Sequence, residues 1–413
     1  MSDSASSSGV DAERDVRWLL DAAARLVPGE APALVDAVRH VLGARAGRVF
    51  VADYSLRRLQ QVDVAGPVGA PNPIAGTIAG RAFTSGEVVV SGSHPTVVSI
   101  PLVDGTDRIG LLELDYDAWD GGLPAGWERV IAVFVLVLIA TSRYSDLWVR
   151  ARRTEPLSAA AEVQWDLLPP LSCSTDDVAV GGILEPAYEI GGDSFDYAVN
   201  GAHLELAIVD AIGHGMSAVL MSAAAINSLR SARRSRIDLV AAYRQADQLI
   251  ATRFGQSNYV TGQFGSLDLR TGILTWVNAG HVLPMLVRNG TYAGELPCKP
   301  SMPLGLGGPV VEVATQPLQR GDRVLFYMDG ITESRSPDGA LFGRERLADF
   351  LVRAALDDVP VAETARRLSA SVIDYANAGL RDDATLLLIE YRGHDPELRR
   401  QTVEEPTSSP RPA

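Results

Sequence analysis

Four hundred and thirteen residues supply chain for two or three domains with sizeable cores. Hydrophobic residues at 46% and charged residues at 21% exclude a collagen-like or wholly disordered chain. Thirty-seven Lys and Arg against 51 Asp and Glu leave a net charge of -14, which repels phosphate backbones and anionic headgroups, so neither nucleic acid nor a membrane is an expected partner. Cys173 and Cys298 are the two cysteines, and no signal-peptide pattern opens MSDSASSSGV, which points to the reducing cytoplasm and two inert thiols.

Taken in chain order, residues 1–14 are Ser-rich and polar and are expected to be disordered, as is the Pro-containing tail 393–413. Residues 15–145 start with helical patterns (VRWLLDAAARL and ALVDAVRHVLG) and continue into strand candidates at 48–52, 97–103 and 109–114. The last two are joined by a turn at Asp104-Gly105-Thr106-Asp107. The apolar run from Val130 to Ala140 falls short of the roughly 20 residues a membrane span needs, and Glu128 and Arg129 stand directly before it, so it reads as a buried helix. IAGRAFTSGEVVV followed by VVSIPLVDGTDRIGLLELDY resembles the second half of a GAF domain. That resemblance implies an α/β sensor holding an unknown small ligand; dimerisation, or a bare scaffold, fits the same residues.

Residues 146–172 are expected to form a helical linker. Thr154-Glu155-Pro156 is a helix-start signal, LSAAAEVQWDLL carries apolar residues near helical spacing, and Pro169-Pro170 ends the run. A homodimer through Glu128 to Leu168 is a further expectation. Beyond the linker, in residues 173–392, aspartates recur beside glycines where strand-like runs begin or end. Asp193 follows VGGILEPAYEI, Asp210 ends HLELAIVD, Asp329 ends RVLFYMDG, and Asp382 and Asp383 open DDATLLLIEY.

One Asp-Gly pair alone is an ordinary turn, but four such places together point to a shared site. Carboxylates converging at a sheet rim are costly unless cations neutralise them. An all-oxygen set without paired Cys or His favours Mg²⁺ or Mn²⁺ over zinc. Gly191-Gly192, Gly213 and Gly215 allow close backbone approach, and the Ala211 carbonyl offers one more oxygen. Two such ions about 4 Å apart generate a nucleophile from water at neutral pH. His214 and His281 are weaker candidates, because a His beside glycine commonly bonds backbone carbonyls. NAGH (278–281) is expected to shape a turn. The helix from Met216 to Leu229 is expected to pack in the core, with methionines as filler and with its first N–H groups toward an anion.

GGDSFD, VDAIGHG, NAGH, YMDGITES with DGALFG behind it, and RDDATLLL occur in that order. Together they resemble the PPM-type serine/threonine protein phosphatases, in particular the SpoIIE-like bacterial branch. The resemblance implies an α+β chain overall: the GAF-like sensor, then an αββα sandwich of two antiparallel sheets flanked by helices, with two Mn²⁺ or Mg²⁺ ions at one end. It implies Asp193 and Asp210 as catalytic metal ligands, with Asp210 bridging, the Ala211 carbonyl as a further ligand, and Asp329 and Asp382 as the remaining acids, Asp383 being the alternative to Asp382. It also implies a phosphorylated anti-sigma-factor antagonist as substrate. Wider family members carry an upstream arginine for the phosphate, and no arginine occurs between Glu155 and Asp193. The competing reading is a non-catalytic pseudophosphatase that senses a ligand and binds a protein partner.

Overall fold

The computed structural model describes residues 14, 16–105, 107–185, 188, 191–255, 257–377, 380 and 382–394. The termini expected to be disordered lie, apart from Arg14 and residues 393 and 394, outside the described residues. The chain divides between Pro156 and Leu157 into two units. The boundary falls inside the stretch expected as linker, so a helix at Leu147–Arg152 joins the first unit and one at Ala159–Leu167 joins the second.

The first unit is built on six antiparallel strands: β1 (Ala46–Ala52), β2 (Arg58–Asp63), β3 (Gly66–Pro73), β4 (Val89–Ser91), β5 (Thr96–Asp104) and β6 (Asp107–Tyr116), in the order β3-β2-β1-β6-β5-β4. Period-two alternation in β1 buries both faces of this sheet. Val49 and Val51 join Leu112, Leu114 and Ile100 under the apolar helix, whereas Phe50 and Ala52 join Leu59, Phe83 and Leu111 on the other face. The apolar helix is Trp127–Ser142, and Val130, Ile131, Phe134, Val135 and Leu138 are its buried stripe. No described helix is long and apolar enough to cross a membrane.

The second unit holds two further antiparallel sheets. One comprises β9 (Asp193–Asn200), β10 (His203–Ala211), β11 (Val260–Asp268), β12 (Ile273–Ala279) and β15 (Val313–Pro317), in the order β15-β12-β11-β10-β9. The other comprises β7 (Ser172–Ser174), β8 (Val178–Ile183), β13 (Met285–Arg288), β14 (Thr291–Glu295), β16 (Asp322–Tyr327) and β17 (Leu386–Tyr391), in the order β14-β13-β16-β17-β8-β7. Helices Met216–Arg234 and Leu239–Phe254 pack on the first of these sheets, and Val361–Ala376 packs on the second. The sheets meet face to face: a Cβ on Gly182 of β8 would stand 2.4 Å from the Phe195 ring of β9. This is the expected αββα sandwich.

Local details differ from the sequence reading. The linker helix is capped by Ser158, whose hydroxyl accepts from the Ala161 N–H, rather than by Thr154-Glu155-Pro156. The run expected as one strand over VGGILEPAYEI stops at Ile183, and residues 186, 187, 189 and 190 lie outside the described residues. Asp382 and Asp383 precede β17 instead of opening it. The helix expected over Met216–Leu229 extends to Arg234, and its Met221 is buried filler while Met216 is 41% exposed.

Candidate metal centre

The strand ladder sets the first relationship. In the β9–β10 pairing Asp193 and Asp210 are direct cross-strand partners, at the start of one strand and the end of the other. Like charges opposite each other destabilise a ladder, so this placement is a cost the fold sustains. The backbone around them is tightly tied. The Gly192 carbonyl accepts from the Ala211 N–H at 3.2 Å and from the Ser222 hydroxyl, and the Gln164 amide donates to the Asp193 carbonyl. A Cβ on Gly192 would stand 2.2 Å from the Ala211 carbonyl oxygen, and one on Gly191 would stand 1.8 Å from Asp383 Oδ2. Only glycine permits this approach.

The second sheet brings the other acids to the same rim. Met328 donates its N–H to the Thr385 carbonyl at 2.9 Å, placing the end of β16 beside the segment before β17. Asp329 therefore opens a short helix, Asp329–Glu333, instead of turning a hairpin. Asp383 Oδ2 accepts from the Asp193 N–H at 3.3 Å, and Asp382 Oδ1 accepts from the Asp383 N–H at 3.0 Å. Asp193 and Asp383 are buried, Asp210 is half-buried, and Asp329 and Asp382 are exposed toward solvent.

Electrostatics records the crowding. Burial, then repulsion from Asp329 and Asp382, pushes the Asp210 carboxyl up to about 6. Burial pushes Asp383 up to about 7; the Asp193 N–H opposes the shift, and Asp382 and Asp210 add to it. Asp193 is raised well above the usual carboxylate range by burial, with Asp383 and Asp210 adding repulsion. Its Oδ2 is buried without a hydrogen-bond partner among the described residues. Uncompensated carboxylates of this kind are stable when a cation replaces the lost water. Among the described residues no three Asp, Glu, His or Cys side chains stand in ready ligand geometry, so the acids are neighbours and not a finished cage. The donor chemistry, all oxygen, fits Mg²⁺ or Mn²⁺.

The histidines take other parts. His281 Nε2 lies 3.1 Å from the Tyr327 carbonyl, which can only accept, so Nε2 carries the hydrogen and Nδ1, 3.0 Å away, accepts from the Thr261 hydroxyl. Burial pushes the imidazole down to about 4, leaving it neutral. Both ring nitrogens are engaged in structure. Asn278 closes the NAGH turn by accepting from the His281 N–H at 2.7 Å and donating to its carbonyl at 2.9 Å. His214 is exposed in the loop between Gly213 and Gly215. Burial raises both thiols, in keeping with their expected inertness.

Sequence reasoning missed Gln164 and Ser222. Each sits on an apolar helix face where a single polar residue looks like an accident, and each proves to hold the backbone beside Asp193. Their signal was a polar residue at a core position of helical spacing.

Residues 200–392 match the Stage II sporulation protein E (SpoIIE) family. That span holds Asp210, Asp329, Asp382 and Asp383, and Asp193 stands just before it, so the rim of acids lies in and beside the SpoIIE-like part of the chain. Among curated relatives, it is 22% identical over 236 residues to the phosphoserine phosphatase RsbU of Bacillus subtilis, covering 56% of this chain and 69% of RsbU. It is also 22% identical over 253 residues to protein IcfG of Synechocystis, covering 52% of this chain but only 39% of IcfG. Among solved structures, the SiaA-PP2C domain of Pseudomonas aeruginosa is similar at 22% identity and a TM-score of 0.48, covering 56% of this chain and 94% of that one.

Proposed function

We propose that the second unit is a metal-dependent protein serine/threonine phosphatase that hydrolyses the phosphomonoester of a phosphorylated anti-sigma-factor antagonist, under the control of the first unit as a GAF-like sensor of a small ligand. The observation that carries the reading is the buried Asp193 carboxylate, whose Oδ2 has no hydrogen-bond partner among the described residues, facing Asp210 across the ladder, with Asp329, Asp382 and Asp383 brought alongside from the other sheet. Asp193, Asp210, Asp329, the Ala211 carbonyl and either Asp382 or Asp383 would hold two Mn²⁺ or Mg²⁺ ions. When bound, such ions polarise the phosphate and activate water. The chain's own part is to fix the acids. The ladder holds Asp193 against Asp210, Gln164 and Ser222 hold the Gly192-Asp193 backbone, and the Asp193 N–H keeps the Asp383 carboxyl oriented. No nucleophilic side chain is needed.

The substrate class rests on likeness to the SpoIIE-like branch. The name of RsbU supports phosphoserine chemistry, because it describes that relative as a phosphoserine phosphatase. The reading is tested by hydrolysis of p-nitrophenyl phosphate with Mn²⁺, by the wild type and by Asp210→Asn. Mn²⁺-dependent turnover lost in the variant is the expected result. Turnover without metal, or turnover the substitution leaves untouched, contradicts it; a wild type silent with every divalent ion favours the pseudophosphatase.

A further inference from the structure

The segment DGALFG (338–343) finds no role in the acid cluster, yet it is part of an ordered loop beside it. Arg335 and Leu341 form an isolated antiparallel bridge, the Ser336 N–H donates to the Ala340 carbonyl at 2.9 Å, and the Phe342 N–H donates to the Ser334 carbonyl at 2.8 Å. Ser334 Oγ donates to the Gly330 carbonyl at 2.7 Å, tying the loop to the helix that Asp329 opens. Phe342 packs edge-on against Tyr375 at 5.4 Å, and the Tyr375 hydroxyl donates to the Leu341 carbonyl at 3.1 Å. The loop is thus fastened at both ends, and Gly339, at φ +88°, occupies a left-handed position that glycine favours.

Beside this loop lies a cavity of about 350 Å³, lined by Gly330, Glu333, Ser334, Arg335 and Ala376 among others, and Asp382 is the one acid of the cluster that lines it. Arg335 is its one cationic lining residue among those described. Its Nη1 donates to the Gly339 carbonyl at 3.1 Å, and it has no other side-chain partner among the described residues, so Nε and Nη2 remain for a ligand. A dianion entering beside Asp382 needs a fork of donors from another direction, and guanidinium matches phosphate geometry in two parallel hydrogen bonds.

We infer that Arg335 binds the phosphoryl oxygens of the substrate and that DGALFG is the brace that positions it. The inference rests on the phosphatase reading and names a substrate-binding residue for that site. The experiment compares wild type, Arg335→Ala and Arg335→Lys, with Mn²⁺, on p-nitrophenyl phosphate and on a phosphoserine peptide, and adds inhibition by inorganic phosphate. Arg335→Ala should raise KM on both substrates by about 10- to 100-fold, weaken phosphate inhibition by a similar factor and leave kcat and the melting temperature nearly unchanged. Arg335→Lys should restore part of the loss. Unchanged KM on both substrates overturns the inference, and a rise confined to the peptide reassigns Arg335 to the polypeptide and overturns the phosphoryl contact. A wild type without Mn²⁺-dependent turnover, or an Asp210→Asn variant as active as wild type, brings down the phosphatase reading itself, so the two failures are distinct.

Discussion

Three residues apart on β9, Asp193 and Asp196 are equally buried, each at 3% exposure, and are treated in opposite ways by the fold. Asp196 is held by Arg230 at 2.7 Å and by Arg233 at 2.8 Å, both from the helix Met216–Arg234, and Arg230 also donates to the Leu167 carbonyl at 2.6 Å. Asp193 meets other acids, and one of its oxygens has no partner among the described residues. A buried charge must be compensated. At Asp196 the chain supplies the compensation and the residue serves structure. At Asp193 the chain withholds it, and the proposed compensation is a bound divalent cation.

The largest effect expected from this contrast is on stability. Removing both cations of Asp196, in Arg230→Ala with Arg233→Ala, should cost about 3 to 5 kcal/mol in urea unfolding, because a buried carboxylate is left alone. Equal stability of that double variant and wild type would show that Asp196 is hydrated after all. Neutralising the acids should do the reverse. The folded-state values of Asp210 and Asp383, about 6 and about 7, lie above the ordinary 3.8 of the unfolded chain. The folded protein therefore holds more protons between those limits, and its stability without metal is full below about pH 4 and falls as pH rises through 6 and 7. Asp383→Asn should accordingly stabilise the metal-free protein at pH 7.5 by about 1 to 3 kcal/mol and have little effect at pH 4, as read by thermal melts. A destabilised variant at pH 7.5 would contradict the repulsion.

His281 sharpens the comparison from the other sign of charge. Its folded value, about 4, lies below the unfolded 6.5, so the unfolded chain takes the proton first. Its contribution is intact above pH 6.5 and declines as pH falls toward 4, with a slope approaching about 1.4 kcal/mol per pH unit. His281→Asn should flatten that part of the acid limb in unfolding experiments, and an unchanged limb would count against the assignment. The smallest effect belongs to Gln164→Ala, which removes one buried hydrogen bond to the Asp193 carbonyl and should cost about 1 to 2 kcal/mol. It should also weaken Mn²⁺ affinity, whereas a stability loss with unaltered affinity would confine Gln164 to packing.

Much of this is legible in the sequence because strand-end aspartates beside glycines are local patterns. The β5 and β6 strands and the apolar helix follow from their apolar runs, whereas the αββα sandwich is what the motif resemblance implies. β2, β3 and β4 escape such a reading: RLQQVD is mostly polar, VVS is only three residues long, and GPVGAPNP carries three prolines on an edge strand where the missing N–H groups cost little. The site residues are legible one by one, but their mutual placement is not. The direct opposition of Asp193 and Asp210 depends on register across a hairpin, and the approach of Asp383 depends on contact between the two sheets. The same non-local cause hides Gln164 and Ser222, whose partners are 29 and 30 residues away.

Equilibrium Mn²⁺ binding, followed by calorimetry or by the resonance of free Mn²⁺, reaches the central claim most directly. Two ions should bind each wild-type chain at pH 7.5, with at least one lost in Asp210→Asn and none of the difference attributable to unfolding. A wild type that binds no divalent ion at millimolar concentration, or a variant that binds the same number as tightly, would contradict it.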